Sequence, residues 1–289
     1  MARHFSTHRM VCWRLSRHCN RACPFCLSTS GPRVGHPEHD PFMMANRLLD
    51  LKVEKISYSG GEPFEYPLFP ALVEHVRGLG MLQLVTTNGD RLATGIPEWI
   101  RAFEYVKLSF YGSRSLHDRL MGDGNYDQQL SLAEKLITAH RVTVGANYML
   151  SAESVQHVPA FIADMAASGF NDVLFQTYIY NRRRHVDRRF ALRDTRQTIA
   201  ELRGLLSVHA DRLPGGMKVH DYSQRDWFIV LDDSGRLILP TSAIEQDFVM
   251  GRVTDDTLRV TPDVCIKAPA ALETIWERRY ATEAIVDLV

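Results

Sequence analysis

Short apolar strands alternate with helical segments along the first 180 residues, and this alternation most restricts the possible fold. Segments rich in Val, Leu, Ile and Tyr are predicted as strands at 9–16, 55–59, 82–89, 105–112, 142–150 and 172–180. Helical periodicity is clearest at 41–53, 68–80, 126–140 and 154–169. Asp40 followed by Pro41 is typical of a helix start. Because parallel strands need crossover connections, the pattern predicts an α/β fold with a parallel sheet wrapped by helices.

The pattern changes near residue 190, where we place a domain boundary. The segment WFIVLDDSGRLILP (227–240) is typical of an antiparallel hairpin that turns at Asp-Ser-Gly. The other predicted elements are a helix at 191–210 and a helical segment, ALETIWERRY, at 271–280. The sequence therefore predicts an α/β part at 1–190 and a small α+β extension at 191–289.

Charge and hydropathy argue against several classes of function. Lys plus Arg equals Asp plus Glu at 34 each, so no overall field attracts nucleic acid or a membrane surface. No apolar run approaches the roughly 18 residues of a membrane span, and MARHFSTHRM lacks the apolar core of a signal peptide. Five cysteines are an odd number, and three of them lie too close together for a disulfide framework. We expect a cytoplasmic protein without nucleic-acid or membrane partners.

Polar residues collect where the predicted strands lead into the next helices. In an α/β barrel, the C-terminal ends of the strands carry the active site. The residues at these ends are Cys19, Cys23 and Cys26; Gly60, Gly61, Glu62 and Pro63; Thr86, Thr87, Asn88 and Gly89; Ser109 and Tyr111; Asn147; and Gln176 and Tyr178. Any one of them is compatible with an ordinary turn, but the whole set predicts a functional site at this rim.

The three cysteines of CNRACPFC (19–26) have spacings that suit a metal centre. A structural zinc is normally held by four protein ligands. The fourth would have to be Cys12, which lies within a strand, Cys265, which lies far along the chain, or His18. A [4Fe–4S] cubane is usually held by four cysteines, so three leave one iron open to an exogenous ligand. Spacing alone leaves zinc and iron–sulfur both open.

Four motifs together resemble the radical S-adenosylmethionine (radical SAM) superfamily. Cys-x3-Cys-x2-Cys, with Phe25 before its third cysteine, is similar to the signature of that superfamily. GGEP (60–63) and TTNG (86–89) are similar to its motifs after the second and third strands. LSFYGSRSLHDRLMGDGNY (108–126) is similar to the fourth-strand region of the branch with the molybdopterin cyclase and the peptide-modifying enzymes. The resemblance covers roughly residues 9–180 and implies a partial (β/α)6 TIM-like barrel.

The resemblance also implies the cofactors and a role for each matching residue. A [4Fe–4S] cluster would bind the thiolates, and S-adenosylmethionine would chelate the fourth iron. Reductive cleavage would give methionine and a 5′-deoxyadenosyl radical that abstracts a substrate hydrogen, with flavodoxin or ferredoxin as electron donor. The implied residues are Cys19, Cys23 and Cys26 for the cluster; Gly60, Gly61, Glu62 and Pro63 for the methionyl group; the backbone of Phe25 for adenine; Ser109 for the ribose or carboxylate; and Thr87, Asn88 and Asn147 as further cofactor contacts.

The extension is similar to the SPASM/twitch-type extensions that hold auxiliary iron–sulfur clusters. Those relatives have a cysteine after a hairpin like VLDDSGRLILP, whereas this chain has Thr241 there and offers only Cys265. The resemblance thus implies a degenerate, cluster-free extension that acts as a lid over the barrel mouth. Elsewhere, we expect Cys12 to pack as a small hydrophobic residue, and His117 and Asp118 to cap a helix or lie on the surface.

Five arginines in NRRRHVDRRF (181–190) follow the sixth strand. They form either a solvated linker or a clamp for an anion, because guanidinium groups bind phosphate and carboxylate through paired hydrogen bonds. Together with polar residues of the strand ends, they give a set of candidate substrate contacts. The set is Tyr111, Gln176, Tyr178, Arg182, Arg183 and Arg184.

Three functions remain open. The first is radical chemistry on a small, polar, anionic metabolite such as a nucleotide, sugar or amino-acid derivative. The second is maturation of a ribosomally made peptide, against which we note that no leader-binding domain precedes the first strand. The third, from a different class, is a non-catalytic zinc-binding interaction protein. We expect the first, with a small molecule as the substrate.

Overall fold

The structure is a computed structural model that describes residues 9–26, 39–178, 187–220, 229–240, 247–281 and 287–288. Six parallel strands form the centre of its main sheet and follow one another in chain order. They are β1 (Met10–Arg14), β2 (Lys55–Ser59), β3 (Leu82–Thr87), β4 (Tyr105–Phe110), β5 (Thr143–Leu150) and β6 (Val173–Thr177). The helices between them are α1 (Pro41–Asp50), α2 (Phe69–Gly78), α3 (Asp90–Thr94), α4 (Arg114–Met121), α5 (Asn125–Thr138) and α6 (Val158–Ala167). The predicted α/β fold is confirmed, and the open sheet makes it a partial TIM-like barrel.

Local signals set the ends of these helices. The Asp40 carboxylate accepts a hydrogen bond from the backbone N–H of Phe42 at 2.9 Å, and this cap starts α1 as predicted. Gly122 and Gly124, both with positive φ, break the chain between α4 and α5 and fold one helix back on the other. None of the described helices combines the length and the apolar content that crossing a membrane requires.

Each barrel strand turns one face to the helices and the other to the lumen of the barrel. Trp13 and Tyr58 are buried on the helix side, where the Tyr58 ring packs edge-on against Phe69 of α2 at 5.2 Å. Cys12 and Arg14 alternate with Trp13 along β1 and remain partly exposed. The same alternation of buried and partly exposed residues runs through β2 and β6. The lumen is therefore lined by side chains and open to solvent, unlike the packed interior of a closed barrel.

The extension continues this sheet at both of its edges. Its elements are α7 (Thr195–Ser207), β7 (Met217–His220), β8 (Ile229–Leu231), β9 (Arg236–Leu239), β10 (Phe248–Arg252), β11 (Thr257–Thr261), β12 (Val264–Lys267), α8 (Ala268–Ala281) and β13 (Asp287–Leu288). Strand β8 pairs in parallel with β1, and β9 returns antiparallel to β8, which confirms the predicted hairpin. On the other side, β7 pairs in parallel with β6. The described strands thus form one eleven-stranded sheet from β10 to β13, while the domain boundary near residue 190 stays a prediction.

Candidate active site

The turn after β2 packs directly on the start of the cysteine loop. The backbone N–H of Gly61 donates to the carbonyl of Ser16 at 2.7 Å, and that of Glu62 donates to the carbonyl of His18 at 2.8 Å. A Cβ on Gly61 would overlap the His18 carbonyl, and Gly60 has a φ of +121°. The family resemblance assigns these glycines to the methionyl group of the cofactor. The structure adds a second reason, because only glycine lets this turn contact the backbone of the cysteine loop.

Glu62 joins the turn after β2 to the end of β3. The carboxylate is buried and accepts hydrogen bonds from the Thr87 hydroxyl at 2.7 Å, the Asn88 backbone N–H at 2.8 Å and the Phe64 backbone N–H at 3.2 Å. Burial raises the pKa of Glu62 to about 7, although these hydrogen bonds lower it. Glu62 therefore has an internal structural role that the sequence did not indicate, and its predicted contact with the methionyl ammonium stays a prediction.

A polar network holds the cysteine loop against the end of β3. Arg21 donates to both carboxylate oxygens of Asp90, at 2.6 and 2.5 Å, and Asn20 donates to the same carboxylate at 2.7 Å. The Asn88 side-chain amide donates to Asn20 at 2.8 Å and lies 3.9 Å from the Sγ atom of Cys19. Charge-assisted, paired hydrogen bonds of this kind fix orientation as well as position. The sequence does not indicate this network, although Asp90 directly follows the TTNG motif.

The three predicted cluster ligands lie together on this loop and are partly exposed. The backbone N–H of Cys26 donates to the carbonyl of Cys23 at 3.1 Å, and that of Arg21 lies 3.4 Å from the Sγ atom of Cys19. Burial, with smaller contributions from the neighbouring thiols, raises the pKa of Cys19 to about 11 and that of Cys23 to about 12. These side chains are therefore neutral thiols unless a cation compensates for their ionisation.

An aromatic cluster closes one side of the cysteine loop. The Phe25 ring lies 4.5 Å from the ring of Tyr111 and 5.4 Å from that of Phe190. Tyr178 packs on Phe190 at 5.8 Å and donates its hydroxyl to the carbonyl of Asp187 at 2.7 Å. Two of the candidate substrate residues, Tyr111 and Tyr178, are thus brought together beside the thiols.

Other predicted residues line the lumen. Ser109 and Asn147 are register partners on β4 and β5, and the Asn147 amide donates to the Thr86 hydroxyl at 3.3 Å. The Oδ1 atom of Asn147 is buried without a hydrogen-bond partner among the described residues. Gln176 is the register partner of Met149 and is partly exposed. The candidate clamp residues Arg182, Arg183 and Arg184 lie outside the described residues.

The expectation that His117 caps a helix or lies on the surface is wrong. Its ring is fully buried, its Nε2 atom is hydrogen-bonded to Asn125 at 2.8 Å, and it stacks on Tyr111 at 5.6 Å. Burial lowers the pKa of His117 to about 4, so the ring stays neutral. The capping role holds for Asp118, which accepts a hydrogen bond from the backbone N–H of Tyr126 in the first turn of α5. The cause is the packing of α4 against α5: the glycines mark the break between the two helices, but they do not show which side chains the contact buries.

Comparison with known families identifies the superfamily of the chain. The model of the Radical SAM superfamily matches residues 13–165, which is more than half of the chain. The chain belongs to the radical SAM superfamily.

The sequence alignments with individual relatives extend over different shares of this radical SAM protein. The mycofactocin maturase MftC of Mycobacterium tuberculosis is 27% identical over 160 residues, which are 52% of this chain and 39% of the maturase. The PqqA peptide cyclase of Gluconobacter oxydans is 25% identical over 270 residues, which are 84% of this chain and 73% of the cyclase. The chain thus spans less than half the length of the maturase. The crystal structure of Streptococcus suis SuiB bound to precursor peptide SuiA has the same fold, with a TM-score of 0.65, 15% identity and coverage of 96% of this chain and 66% of SuiB.

Radical SAM enzymes use a [4Fe–4S] cluster and S-adenosylmethionine, and these are the cofactors of this chain. The residues present fit them. The three clustered donors are all thiols, the ligand type of iron–sulfur clusters, and their raised pKa values require a nearby cation for ionisation. Over the described ranges, no three His, Cys, Asp or Glu side chains converge on one ion position. A cubane does not require such convergence, because each thiolate binds a different iron.

Proposed function

We propose that this radical SAM enzyme modifies a peptide substrate. The observation that carries the proposal is the nature of the relatives: a peptide cyclase aligns with 84% of this chain, and a structure bound to a precursor peptide aligns with 96%. From the sequence alone, a small anionic metabolite was the expected substrate and a peptide the alternative. The relatives favour the alternative.

The residues of the chain hold the cofactors and leave room for a substrate. When bound, the cluster and S-adenosylmethionine supply a carbon-centred radical that removes a hydrogen atom from the substrate. Cys19, Cys23 and Cys26 would hold the cluster. Ser109 and Asn147, across the lumen, would contact S-adenosylmethionine. The open, partly polar lumen beneath them would receive the substrate group that reacts and shield it from bulk water.

We further propose a cytoplasmic setting and a small electron-transfer protein, such as a flavodoxin or a ferredoxin, as the donor. A cytoplasmic setting supports free thiols, and the five cysteines of this chain form no disulfide. The cluster needs a donor of low potential, which such proteins provide.

The test uses cluster-loaded enzyme under anaerobic conditions with a reductant, S-adenosylmethionine and candidate substrates. We expect short precursor-type peptides to stimulate formation of 5′-deoxyadenosine above the background, and mass spectrometry to detect a change in peptide mass. Deuterium placed on the reacting carbon should appear in the deoxyadenosine. Stimulation by nucleotides or sugar phosphates alone, with all peptides unchanged, would contradict the proposal.

A further inference from the structure

Arg14 is a cation in the barrel lumen that has no bonded partner within the part of the chain that the structure describes. It lies on the same face of β1 as Cys12, whose Sγ atom is 3.2 Å from the Ser59 hydroxyl, and on the opposite face from Trp13, which packs on the helix side. The side chain is half-buried. Among the described residues, its guanidinium donates no hydrogen bond and joins no ion pair, and it acts electrostatically on the Cys12 thiol.

Partial burial removes some of the water around the Arg14 guanidinium, and no described residue replaces that water with a hydrogen bond. A partly desolvated charge is unfavourable unless another group compensates it. The planar fork of arginine matches the two oxygens of a carboxylate. Its position in an open lumen leaves it accessible to a ligand.

The floor of the same lumen carries further positive charge. Lys55 and Lys107 are buried and form ion pairs with Glu104 at 3.2 Å and Asp172 at 3.9 Å. Lys218 lies close enough to act electrostatically on Lys107. Arg14 thus lies in a lumen whose floor holds several cationic side chains.

A neutral hydrogen-bond acceptor also faces the lumen. The Oδ1 atom of Asn147 has no partner in the described part of the chain, although this residue is more than nine-tenths buried. Such an atom is suited to an N–H group of a ligand. Because Asn147 is the proposed contact of S-adenosylmethionine, which itself carries N–H groups, the group that this lumen leaves for a substrate is the guanidinium of Arg14.

We propose that Arg14 binds a carboxylate group of the peptide substrate and places that part of the peptide inside the barrel. This inference rests on the proposed function and adds a substrate class to it. The carboxylate is either an Asp or Glu side chain or the C-terminus of the peptide. Arg14 is then a residue that determines specificity, and the cluster and S-adenosylmethionine bind without it.

The test measures binding by calorimetry to cluster-loaded enzyme in the presence of S-adenosylmethionine. The probes are glutarate against its neutral analogue glutaramide, and short blocked peptides that contain Glu or Gln, each with a free or an amidated C-terminus. We expect wild-type enzyme to bind carboxylate probes about tenfold or more tightly than their neutral partners. Arg14→Gln should abolish this preference, and Arg14→Lys should retain part of it because charge remains but the fork is lost.

The control is Arg203→Gln, which removes an exposed arginine from α7 and should leave every affinity unchanged. Comparing the Glu peptide with the Gln peptide tests for a side-chain carboxylate. Comparing the free C-terminus with the amidated one tests for a terminal carboxylate. A carboxylate preference that survives in Arg14→Gln would overturn the inference, as would equal binding of charged and neutral probes by wild type. If Arg14→Gln weakened the binding of S-adenosylmethionine as much as it weakened the binding of the carboxylate probes, the inference would also be overturned, because the guanidinium would then bind the cofactor.

The probes also separate this inference from the proposed function. Arg14-dependent binding of glutarate without binding of any peptide would support the anion site and contradict the peptide substrate. Peptide-dependent formation of 5′-deoxyadenosine without any carboxylate preference would support the peptide substrate and contradict the role of Arg14.

Discussion

Glu62 shows how one buried carboxylate links two loops of the site. It accepts three hydrogen bonds from residues after β2 and at the end of β3, and it has little exposure to solvent. Burial raises its pKa from 4.5 to about 7, so the ionised form is less stable in the folded chain than in the unfolded one. The contribution of this group to stability is therefore fully present below pH 4.5 and is lost as the pH rises through 7.

A pH series of unfolding experiments checks this coupling. From pH 5 to pH 8, the cluster-free wild-type chain should lose up to about 3 kcal/mol of unfolding free energy through Glu62. Glu62→Gln removes the titrating group. The unfolding free energy of the variant should therefore rise relative to that of wild type between pH 5 and pH 8. Urea denaturation at several pH values measures it. A difference that stays constant with pH would rule out the raised pKa.

Asp90 holds the cysteine loop through Arg21 and Asn20, and we propose that it positions the cluster ligands. Asp90→Asn removes the charge that holds both donors, so the cysteine loop should open more often. We predict that a chelator strips iron from the loaded variant about threefold to tenfold faster than from wild type. The control is Asp123→Asn, which changes an exposed acid in the pocket that Arg21 and Asp90 also line. Equal rates of iron loss in Asp90→Asn and wild type would contradict the positioning role.

Much of the site could be predicted residue by residue, because thiols, glycines and amides follow strand ends in a recognisable order. The motif residues do lie together in the structure, around the cysteine loop. What the sequence did not indicate depends on tertiary packing. His117 is buried because α4 folds back on α5, and Arg14 faces the lumen because β1 alternates. The alternation along β1 is local, but which of its two faces meets the lumen is set only when the helices pack on the other face.

At the level of elements, the contact between the turn after β2 and the cysteine loop decides whether the site forms. Gly61→Ala places a Cβ onto the His18 carbonyl, and neither backbone can move without breaking its hydrogen bonds. We predict a loss of about 2 kcal/mol or more in unfolding free energy, together with impaired cluster loading. Denaturant unfolding and iron analysis measure both.

The matched control for this substitution is Gly204→Ala in α7, where a Cβ would meet no neighbour within 4 Å. It should stabilise the chain by about 0.5–1 kcal/mol, since alanine is favoured over glycine in helices. If Gly61→Ala were as harmless as Gly204→Ala, the proposed packing of the turn would be incorrect.

At the scale of the whole molecule, strands of the extension pair with the edge strands of the barrel and so join the same sheet. Val11 of β1 pairs with Ile229 of β8, more than two hundred residues away in sequence, and β7 covers the other side at β6. The sequence predicted the hairpin itself, because its turn and strands are local. It did not predict the long-range pairing, which leaves no periodic signal in either strand.

Truncation after residue 190 tests this connection. The shortened chain exposes the edges of β1 and β6, and unpaired edges of parallel strands promote association. We predict that it forms soluble aggregates and melts at least about 10 °C below the full chain. Light scattering and calorimetry measure these properties. A monomeric fragment with unchanged melting would contradict the connection and support an independent domain at 1–190.

The central claim, that three thiolates of this chain hold the cluster at which S-adenosylmethionine is cleaved, is tested most directly by metal and sulfide analysis after anaerobic reconstitution. Wild type and Cys265→Ala, which changes an exposed thiol far along the chain, should each contain about four irons and four sulfides and should form 5′-deoxyadenosine. Cys23→Ala should lose the cluster and all cleavage. One zinc per chain without sulfide, or full cleavage by Cys23→Ala, would contradict the claim.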